Sequence, residues 1–458
     1  MKRSIGSSAI AIGLGLALAV SMAACGNNDK DKDNTGASKG GGDTKADCAA
    51  YEQYGDLSGK SISVYTTFVD VEGASYEESF KPFEECTGAE IKYEGSKSLT
   101  ADVLGRIEAG AVADIVAFPQ PGLLQQAVAT GKVLEAPGAV ATNVDQYWTA
   151  SWRDYGSVDG KLYAAPLGAS VKSLVWYSPD AFAQAGYSVP ETWDDLLALT
   201  SQIVEDGVAK PWCAGIADGD ATGWVATDWV EDMVLRSAGP EVYDQWVSHV
   251  IPFNDAKIVG SLTEMSKILR DDKNVNAGIG DIKSIAATSW TDAGTPILDG
   301  QCFLHRQASF YGGNFADEGA SVAEGGDVWA FYLPSNDPSR KPILGGGDFV
   351  AAFADRPEVV AFQTFLSSPE WANAKAKVTE GGWTTANNGL EKGNLKSPVD
   401  QLAFGLLSDP SAEFRFDGSD LMPASVGSDA FWKQMTAYFA EGKSEQAVAD
   451  AIEAAWPK

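Results

Sequence analysis

Short strand-like runs alternate with helix-like segments through the first part of the chain, and this order constrains the fold most. The strand-like runs are Ser61–Tyr65, Ala89–Tyr93 and Ala113–Phe118. The helix-like segments Tyr76–Cys86 and Leu99–Ala109 separate them. Parallel strands need such crossover connections, whereas antiparallel neighbours can be joined by a tight turn. The order therefore predicts an α/β protein with a mostly parallel sheet.

Further elements are predicted along the rest of the chain. Three more runs read as strands, namely Val171–Tyr177, Val328–Leu333 and Phe349–Phe353. Thr192 is predicted to be the N-cap of a helix, because its hydroxyl can accept a hydrogen bond from the first turn. The last 60 residues are predicted to be helical, since apolar residues recur there on one helix face.

The length of 458 residues exceeds the usual size of one hydrophobic core, so two domains are expected. Two segments rich in glycine or proline lead into strands and suit hinges, Ala164–Gly168 and Ile343–Gly347. We therefore expect two lobes that are interleaved in sequence. The first comprises residues 48–166 and 344–383, and the second comprises residues 167–343 and 384–458. Facing lobes of this kind enclose a cleft beyond the carboxyl ends of their strands.

The N-terminus has the pattern of a secretory signal peptide over residues 1–24. Lys2 and Arg3 precede a short apolar run, and small residues lead to Cys25. This cysteine resembles the acylated cysteine of bacterial lipoproteins, and the resemblance implies a lipid anchor at Cys25. Residues 25–47 are almost entirely polar or small, which is typical of a flexible linker. The globular part is therefore expected to be tethered at the extracellular face of the bacterial cytoplasmic membrane.

The four cysteines other than Cys25 form an even set, as expected in an oxidising compartment. They are Cys48, Cys86, Cys213 and Cys302. Three connectivities are open to four cysteines, and we favour Cys48–Cys86 and Cys213–Cys302. No C-x₂-C pair occurs and the chain has two histidines, so a metal site is not expected.

The formal net charge of −29 restricts the partners of this protein. Such a field opposes nucleic acids, anionic lipid surfaces and polyanionic substrates. The sequence also lacks the G-x-S-x-G, H-E-x-x-H and P-loop patterns of several enzyme classes. Neither the charge nor these patterns therefore favours a nucleic-acid-binding protein or one of those enzymes.

Several phrases of this sequence resemble those of family 1 extracellular sugar-binding proteins of ABC importers. They are Asp159–Pro166, Lys172–Tyr177, Gly186–Leu196, Phe118–Gly122, Cys302–Phe310 and Gly345–Asp348. The set is most similar to the subgroup that binds α-glucosides such as trehalose, maltose and sucrose. The resemblance implies a periplasmic-binding-protein type II fold with two hinged lobes. It also implies a monomer without catalytic residues or cofactor, which delivers a small oligosaccharide to transmembrane permease subunits.

The resemblance and the chemistry of a sugar together select twelve candidate ligand-binding residues. A pyranose has a rim of hydroxyl groups and apolar C–H faces, so it needs flat aromatic rings and charged or amide hydrogen-bonding groups. The candidates are Asp70, Phe118, Gln120, Lys172, Trp224, Asp228, Trp290, Arg306, Phe310, Gly346, Asp348 and Trp383. Trp224 and Asp228 are four residues apart and would share one face of a helix.

Four of these candidates also have a structural interpretation. Asp70 suits a turn or an N-cap, and Lys172 suits a solvated position. Trp224 could belong to a helix core, and Arg306 could pair with an acid of the second lobe.

Two other functions are alternatives to sugar binding for import. A secreted glycoside hydrolase would also carry acids and aromatic residues, with two carboxyl groups flanking the scissile bond. A solute-binding protein for an amino acid, a phosphate ester or iron is the other alternative. Phosphate favours an arginine cluster or a helix N-terminus, and iron favours clustered tyrosines and histidines, and neither is evident in the sequence.

Overall fold

A computed structural model of the protein describes residues 48–278 and 280–457. The predicted signal peptide over residues 1–24, Cys25 and the linker to residue 47 lie outside this part. No helix within it combines the length and the apolar character that a membrane crossing requires.

The described residues form two larger sheets, a two-stranded hairpin and helices that cover the sheets. The strands are β1 (Ser61–Thr66), β2 (Glu90–Gly95), β3 (Ile115–Phe118), β4 (Ser157–Val158), β5 (Lys161–Leu162), β6 (Ala164–Val171), β7 (Leu174–Tyr177), β8 (Lys210–Cys213), β9 (Val275–Asn276), β10 (Cys302–Arg306), β11 (Trp329–Tyr332), β12 (Lys341–Ala352) and β13 (Ala412–Phe416). The helices are α1 (Asp70–Thr87), α2 (Leu99–Ala109), α3 (Pro121–Ala129), α4 (Gly138–Tyr147), α5 (Ala150–Tyr155), α6 (Pro179–Ala185), α7 (Trp193–Asp206), α8 (Trp224–Met233), α9 (Pro240–Val247), α10 (Ala256–Leu269), α11 (Gly312–Asp317), α12 (Pro357–Leu366), α13 (Pro369–Val378), α14 (Pro398–Leu407), α15 (Gly418–Leu421), α16 (Trp432–Ala440) and α17 (Glu445–Glu453).

The first sheet has the strand order β13-β12-β3-β1-β2, and β6 also pairs with β12. Strand β1 pairs in parallel with both β2 and β3, with Val64 opposite Ile115 in the second pair. Helices α1 and α2 make the crossovers, so the parallel βαβαβ arrangement predicted from the sequence is confirmed. Helices on both faces explain why all four residues of β3 are buried.

The second sheet has the order β11-β7-β10-β8-β9. Strand β7 is antiparallel to β10 and β11, whereas β8 is parallel to β10 and β9. Each large sheet contributes to its own hydrophobic core. A third, smaller cluster contains Val171, Trp176 and Val399.

Two disulfides join Cys48 to Cys86 and Cys213 to Cys302. This is the pairing favoured from the sequence. The first ties the start of the globular part to the last turn of α1. The second joins β8 to β10, which are neighbours in the second sheet.

The chain passes between the two sheets at positions that differ in part from the prediction. Val171–Tyr177 is not one strand, because β6 ends at Val171 and β7 begins at Leu174 in the other sheet. The glycines of Ile343–Gly347 lie inside the twelve-residue strand β12 rather than before it. The last 60 residues are not wholly helical, because β13 forms there as an edge strand beside β12. The exact lobe boundaries stay a prediction.

Two local features bear on the predicted elements. Thr192 caps α7 through a reciprocal pair of hydrogen bonds with Asp195, as the sequence indicated. Ala386, Leu390 and Leu395, which the sequence placed in the second lobe, pack in the first core.

Candidate ligand-binding cleft

A cleft of about 1030 Å³ lies where the first core, the crossing strands and the second core meet. Six of the predicted ligand-binding residues line it: Lys172, Trp290, Phe310, Gly346, Asp348 and Trp383. They come from loops, from β12 and from the crossing between β6 and β7. The fold therefore brings together residues that are more than 200 positions apart in the sequence.

Three aromatic rings form one wall beside this cleft. The ring centroids of Trp290 and Phe310 are 5.9 Å apart, at an interplanar angle of 86°. Trp224 lies behind them, 5.3 Å from the Trp290 ring, and its Nε1 donates a hydrogen bond of 2.9 Å to Asp218. Edge-to-face contacts of this kind hold the rings in fixed orientations. The wall thus offers an apolar surface of set shape.

A polar pocket lies near Gly168, on another side of the cleft. A Cβ atom on Gly168 would lie 3.2 Å from Nε1 of Trp383, 3.3 Å from Oδ2 of Asp348 and 3.6 Å from the hydroxyl of Tyr76. Within the described part of the chain, the Trp383 and Tyr76 donors are buried and lack a hydrogen-bond partner of standard geometry. Buried donors are costly when unsatisfied, so this pocket is suited to a ligand with acceptor oxygens.

Asp348 lines the cleft, and its carboxyl group lies beside the same pocket near Gly168 as the Trp383 and Tyr76 donors. Burial raises the pKa of Asp348 well above its usual range, and the charge of Glu72 raises it further. Burial likewise raises the pKa of Tyr76, so its hydroxyl keeps its proton. The carboxyl group of Asp348 and the hydroxyl of Tyr76 can therefore both form hydrogen bonds with a ligand at this end of the cleft.

Lys375 is a cleft residue that sequence reasoning missed. Its side chain is fully buried, and Nζ lies 4.1 Å above the Tyr76 ring centroid and 5.6 Å from that of Trp383. The ammonium donates hydrogen bonds to the hydroxyls of Ser75 and Thr379. Burial lowers the pKa of Lys375 to about 7, against the opposing charge of Glu72.

Asp400 supports the same end of the cleft from behind. It is 2% exposed and accepts a hydrogen bond of 3.3 Å from the backbone N–H of Trp383. Burial raises the pKa of Asp400 to about 7. Its role is to hold the segment that carries Trp383.

Lys172 enters the cleft from the crossing between β6 and β7. Its ammonium binds Asp228 at 3.0 Å and also binds Asp417, and it lies 5.4 Å from the Trp224 ring centroid. Burial raises the pKa of Asp228 to about 7, although Lys172 opposes that shift. For Asp417 burial is the largest single effect and raises the pKa, but the charge of Lys172 and the hydrogen bonds from Lys172 and Ser419 together lower it to about 2. Lys172 is thus a paired lysine and not a solvated one.

Asp228 and Arg306 lie beneath the cleft surface and do not line it. Arg306 is 1% exposed and forms an ion pair with Asp232, with an Nε–Oδ2 distance of 3.1 Å. Its Nη1 lies 3.5 Å from Oδ2 of Asp228. Arg306 therefore pairs with an acid of the second core region, which was the alternative to ligand binding.

Carboxylate oxygens of Asp228, Glu231 and Asp417 lie within 4.8 Å of one another, close enough to share a cation. The ammonium of Lys172 contacts two of the three. The chain therefore supplies its own cation at this position.

The remaining candidates lie around the cleft or away from it. Asp70 is exposed at the start of α1, with a positive φ of 53°, beside the lining residue Glu72. Phe118 is fully buried in the first core. Gln120 precedes α3, and its side chain lies near Asp420, a lining residue that sequence reasoning missed.

Comparison with known proteins shows the family of this chain. Residues 69–373 match the family model described as bacterial extracellular solute-binding protein. The chain is 37% identical over 439 residues to the alpha-glucosides-binding periplasmic protein AglE of Rhizobium meliloti strain 1021, covering 91% of this chain and 92% of that protein. It is 34% identical over 412 residues to the osmoprotective compounds-binding protein GgtB of Synechocystis sp., covering 88% and 94%.

Solved structures give the same picture of the fold. The bacterial solute receptor AcbH matches with a TM-score of 0.73 at 14% identity, over 86% of this chain and 98% of that one. RafE from Streptococcus pneumoniae matches with a TM-score of 0.68 at 18% identity, over 87% and 98%. The protein has the type II periplasmic-binding-protein fold that the sequence predicted, and it belongs to the bacterial extracellular solute-binding proteins of family 1.

Proposed function

We propose that this protein captures a small α-linked glucoside such as trehalose, maltose or sucrose and delivers it to an ABC importer. The relative named for alpha-glucosides supports this ligand class, since the match covers about nine-tenths of both chains. Six acids and three lysines are among the described residues that line the cleft, which does not favour an anionic ligand.

The observation that carries the proposal is the pairing of two surfaces in one cleft. The rings of Trp290 and Phe310 provide an apolar surface, onto which a pyranose can place its C–H face. Near Gly168, the donors of Trp383 and Tyr76 and the carboxyl group of Asp348 can bind the hydroxyl rim of the same ligand. Charged and buried hydrogen bonds contribute more than exposed neutral ones, so this pocket sets orientation and affinity.

Binding would be accompanied by closure of the two lobes around the sugar. Lys172 lies on the segment that crosses from β6 to β7, Gly346 lies within β12 of the first sheet, and both line the cleft. A ligand that contacts both lobes favours the closed state by its extra contacts there. The closed form would then present the sugar to the permease subunits.

Import also requires that the protein stay near its permease. We propose that Cys25 is acylated after removal of residues 1–24 and that the protein acts as a tethered monomer. Two or three acyl chains give stable anchoring, whereas a single chain binds reversibly. Replacing Cys25→Ala should release the protein into the medium and abolish labelling with radioactive palmitate.

Isothermal titration with trehalose, maltose and sucrose tests the ligand class. We expect binding with a Kd in the micromolar range, about −8 kcal/mol, for at least one of them. The β-linked disaccharide cellobiose serves as the matched control and should bind much more weakly. Glucose released over hours by the purified protein would support a hydrolase instead, and exclusive binding of an amino acid or phosphate ester would overturn the proposal.

A further inference from the structure

The turn after β13 consists of residues 417–420, which cap and begin α15, and it contacts both Lys172 and the cleft. Asp417 binds the ammonium of Lys172, and three residues later Asp420 lines the cleft. Oδ1 of Asp417 also accepts hydrogen bonds from the hydroxyl of Ser419 at 2.7 Å and from the N–H of Asp420 at 3.0 Å. One turn thus sets the positions of two cleft residues.

Glu231 on α8 holds this turn from the side away from the cleft. Its Oε2 accepts a hydrogen bond of 2.9 Å from the N–H of Gly418, and its Oε1 accepts one of 3.0 Å from the N–H of Ser419. Glu231 is fully buried and is not among the residues that line the cleft. Both carboxylate oxygens are therefore committed to the backbone of the turn.

Close packing leaves the turn little freedom to move in another direction. A Cβ atom on Gly418 would lie 2.9 Å from a methyl group of Val247 and 3.0 Å from the hydroxyl of Tyr243. A Cβ atom on Gly427 would overlap the carbonyl oxygen of Ser419. Glycines at both positions let the turn sit directly against its neighbours, with Glu231 as its hydrogen-bonding anchor.

We propose that Glu231 is a positioning residue of the ligand site, which fixes the turn that delivers Asp420 and, through Asp417, Lys172 to the cleft. This inference rests on the proposed sugar-binding function. It assigns to Glu231 an effect on affinity without any contact to the ligand.

The variant Glu231→Gln tests this role, because the amide keeps the size of the side chain but offers one oxygen acceptor in place of two. We expect the Kd for maltose, trehalose or sucrose to rise about tenfold, the effect of leaving a buried N–H without its acceptor. In an Asp420→Ala background the same substitution should cause a smaller further change in Kd, because only the effect through Asp417 and Lys172 remains. A general loss of stability would not give this dependence on Asp420.

Hydrogen exchange of the Gly418 and Ser419 amides gives a readout that needs no ligand. In the Glu231→Gln variant we expect exchange of one of the two to be at least about tenfold faster, because the single oxygen of glutamine can accept from only one of them. Glu453→Gln is the control, since Glu453 accepts a backbone hydrogen bond of 2.7 Å from Phe253 and lies outside the cleft lining. This control should change neither the Kd nor the exchange of Ser419.

A milder variant tests the same turn if Glu231→Gln fails to fold. Ser419→Ala removes the hydroxyl that donates a hydrogen bond to Asp417, while Glu231 stays in place. The Kd should rise by a smaller factor than in Glu231→Gln. Unchanged exchange at both Gly418 and Ser419, or an unchanged Kd in Glu231→Gln, would overturn the role of Glu231. A wild-type protein that binds none of the three sugars would overturn the proposed function, and the exchange measurement would still decide whether Glu231 holds the turn.

Discussion

The ammonium nitrogen of Lys172 lies 3.0 Å from Oδ1 of Asp228, and both side chains are buried where the chain passes from the first sheet to the second. Asp417 binds the same ammonium from the turn after β13. The other oxygen of Asp228 faces Arg306 at 3.5 Å. Lys172 thus connects the segment between β6 and β7 with the turn after β13 and with α8, beside the cleft.

Removing this lysine should destabilise the fold and weaken ligand binding. In Lys172→Met, the carboxyl groups of Asp228 and Asp417 lose their shared cation, and breaking a buried ion pair costs about 3–5 kcal/mol. Thermal unfolding and titration with maltose measure the two effects. Lys396→Met is the matched control at the cleft rim, because the Lys396–Glu380 pair is exposed and contributes about 1 kcal/mol or less. Equal Tm values for the two variants would contradict the structural role of Lys172.

Trp383 should contribute to affinity through its indole N–H as well as through its ring. The ring is 6% exposed and packs edge-to-face on Trp371, with centroids 5.7 Å apart. Trp383→Phe keeps most of this packing but removes the donor, so we expect weaker sugar binding by about 1–2 kcal/mol and a small change in Tm. Fluorescence titration measures the affinity.

Trp371→Phe provides the control for that substitution. The Trp371 N–H donates to Ser79 at 3.1 Å inside the first core, and Trp371 does not line the cleft. This variant should lower the Tm and leave the Kd unchanged. The opposite pattern in the two variants would remove Trp383 from the binding site.

Much of the fold could be predicted because local patterns and tertiary structure agree there. The β-runs separated by helices predict the parallel part of the first sheet, and the Thr192–Asp195 capping box marks the start of α7. The break between β6 and β7 was not predicted, because the polar residues Lys172 and Ser173 that mark it can also occur inside a half-buried strand. Which sheet a short strand joins is decided by contacts distant in sequence.

The positions of several candidates at the cleft were predicted from the family resemblance, and their role in ligand binding stays a prediction. Trp290, Phe310 and Trp383 line the cleft as expected, whereas Lys375 occurs in a helical segment where a lysine is ordinarily solvent-exposed. Its burial follows from the packing of α13 on α1, which no local pattern encodes. Asp228, Asp232 and Arg236 are spaced by four residues, and this spacing was a usable signal for an ion-pair network.

The disulfide pairing can be checked chemically. Peptide mapping without reduction should recover Cys213 joined to Cys302 and Cys48 joined to Cys86. Each bridge closes a long loop, so the replacement of Cys213 and Cys302 by alanine should cost about 2–5 kcal/mol of stability. A peptide that links Cys48 to Cys213 would contradict the pairing.

Lys375 should make the stability depend on pH above neutrality. Its pKa is about 7 in the folded protein, because burial disfavours the ammonium, whereas an unfolded lysine titrates near about 10.4. Between these values the unfolded chain binds more protons than the folded one, so stability rises with pH from about 7 to about 10. Below pH 7 the lysine is charged in both states, and the full cost of burying the ammonium is present.

The variant Lys375→Met isolates this contribution. Methionine has a similar length and no charge, so the difference in Tm between the variant and the wild type should be largest at pH 6 and shrink towards pH 10. Asp400 titrates near pH 7 as well, but it is present in both proteins and affects mainly the range from about pH 4 to 7, where stability falls as pH rises. A difference in Tm that stays constant from pH 6 to pH 10 would mean that Lys375 is charged in the folded protein throughout, held by Glu72 and by the rings of Tyr76 and Trp383.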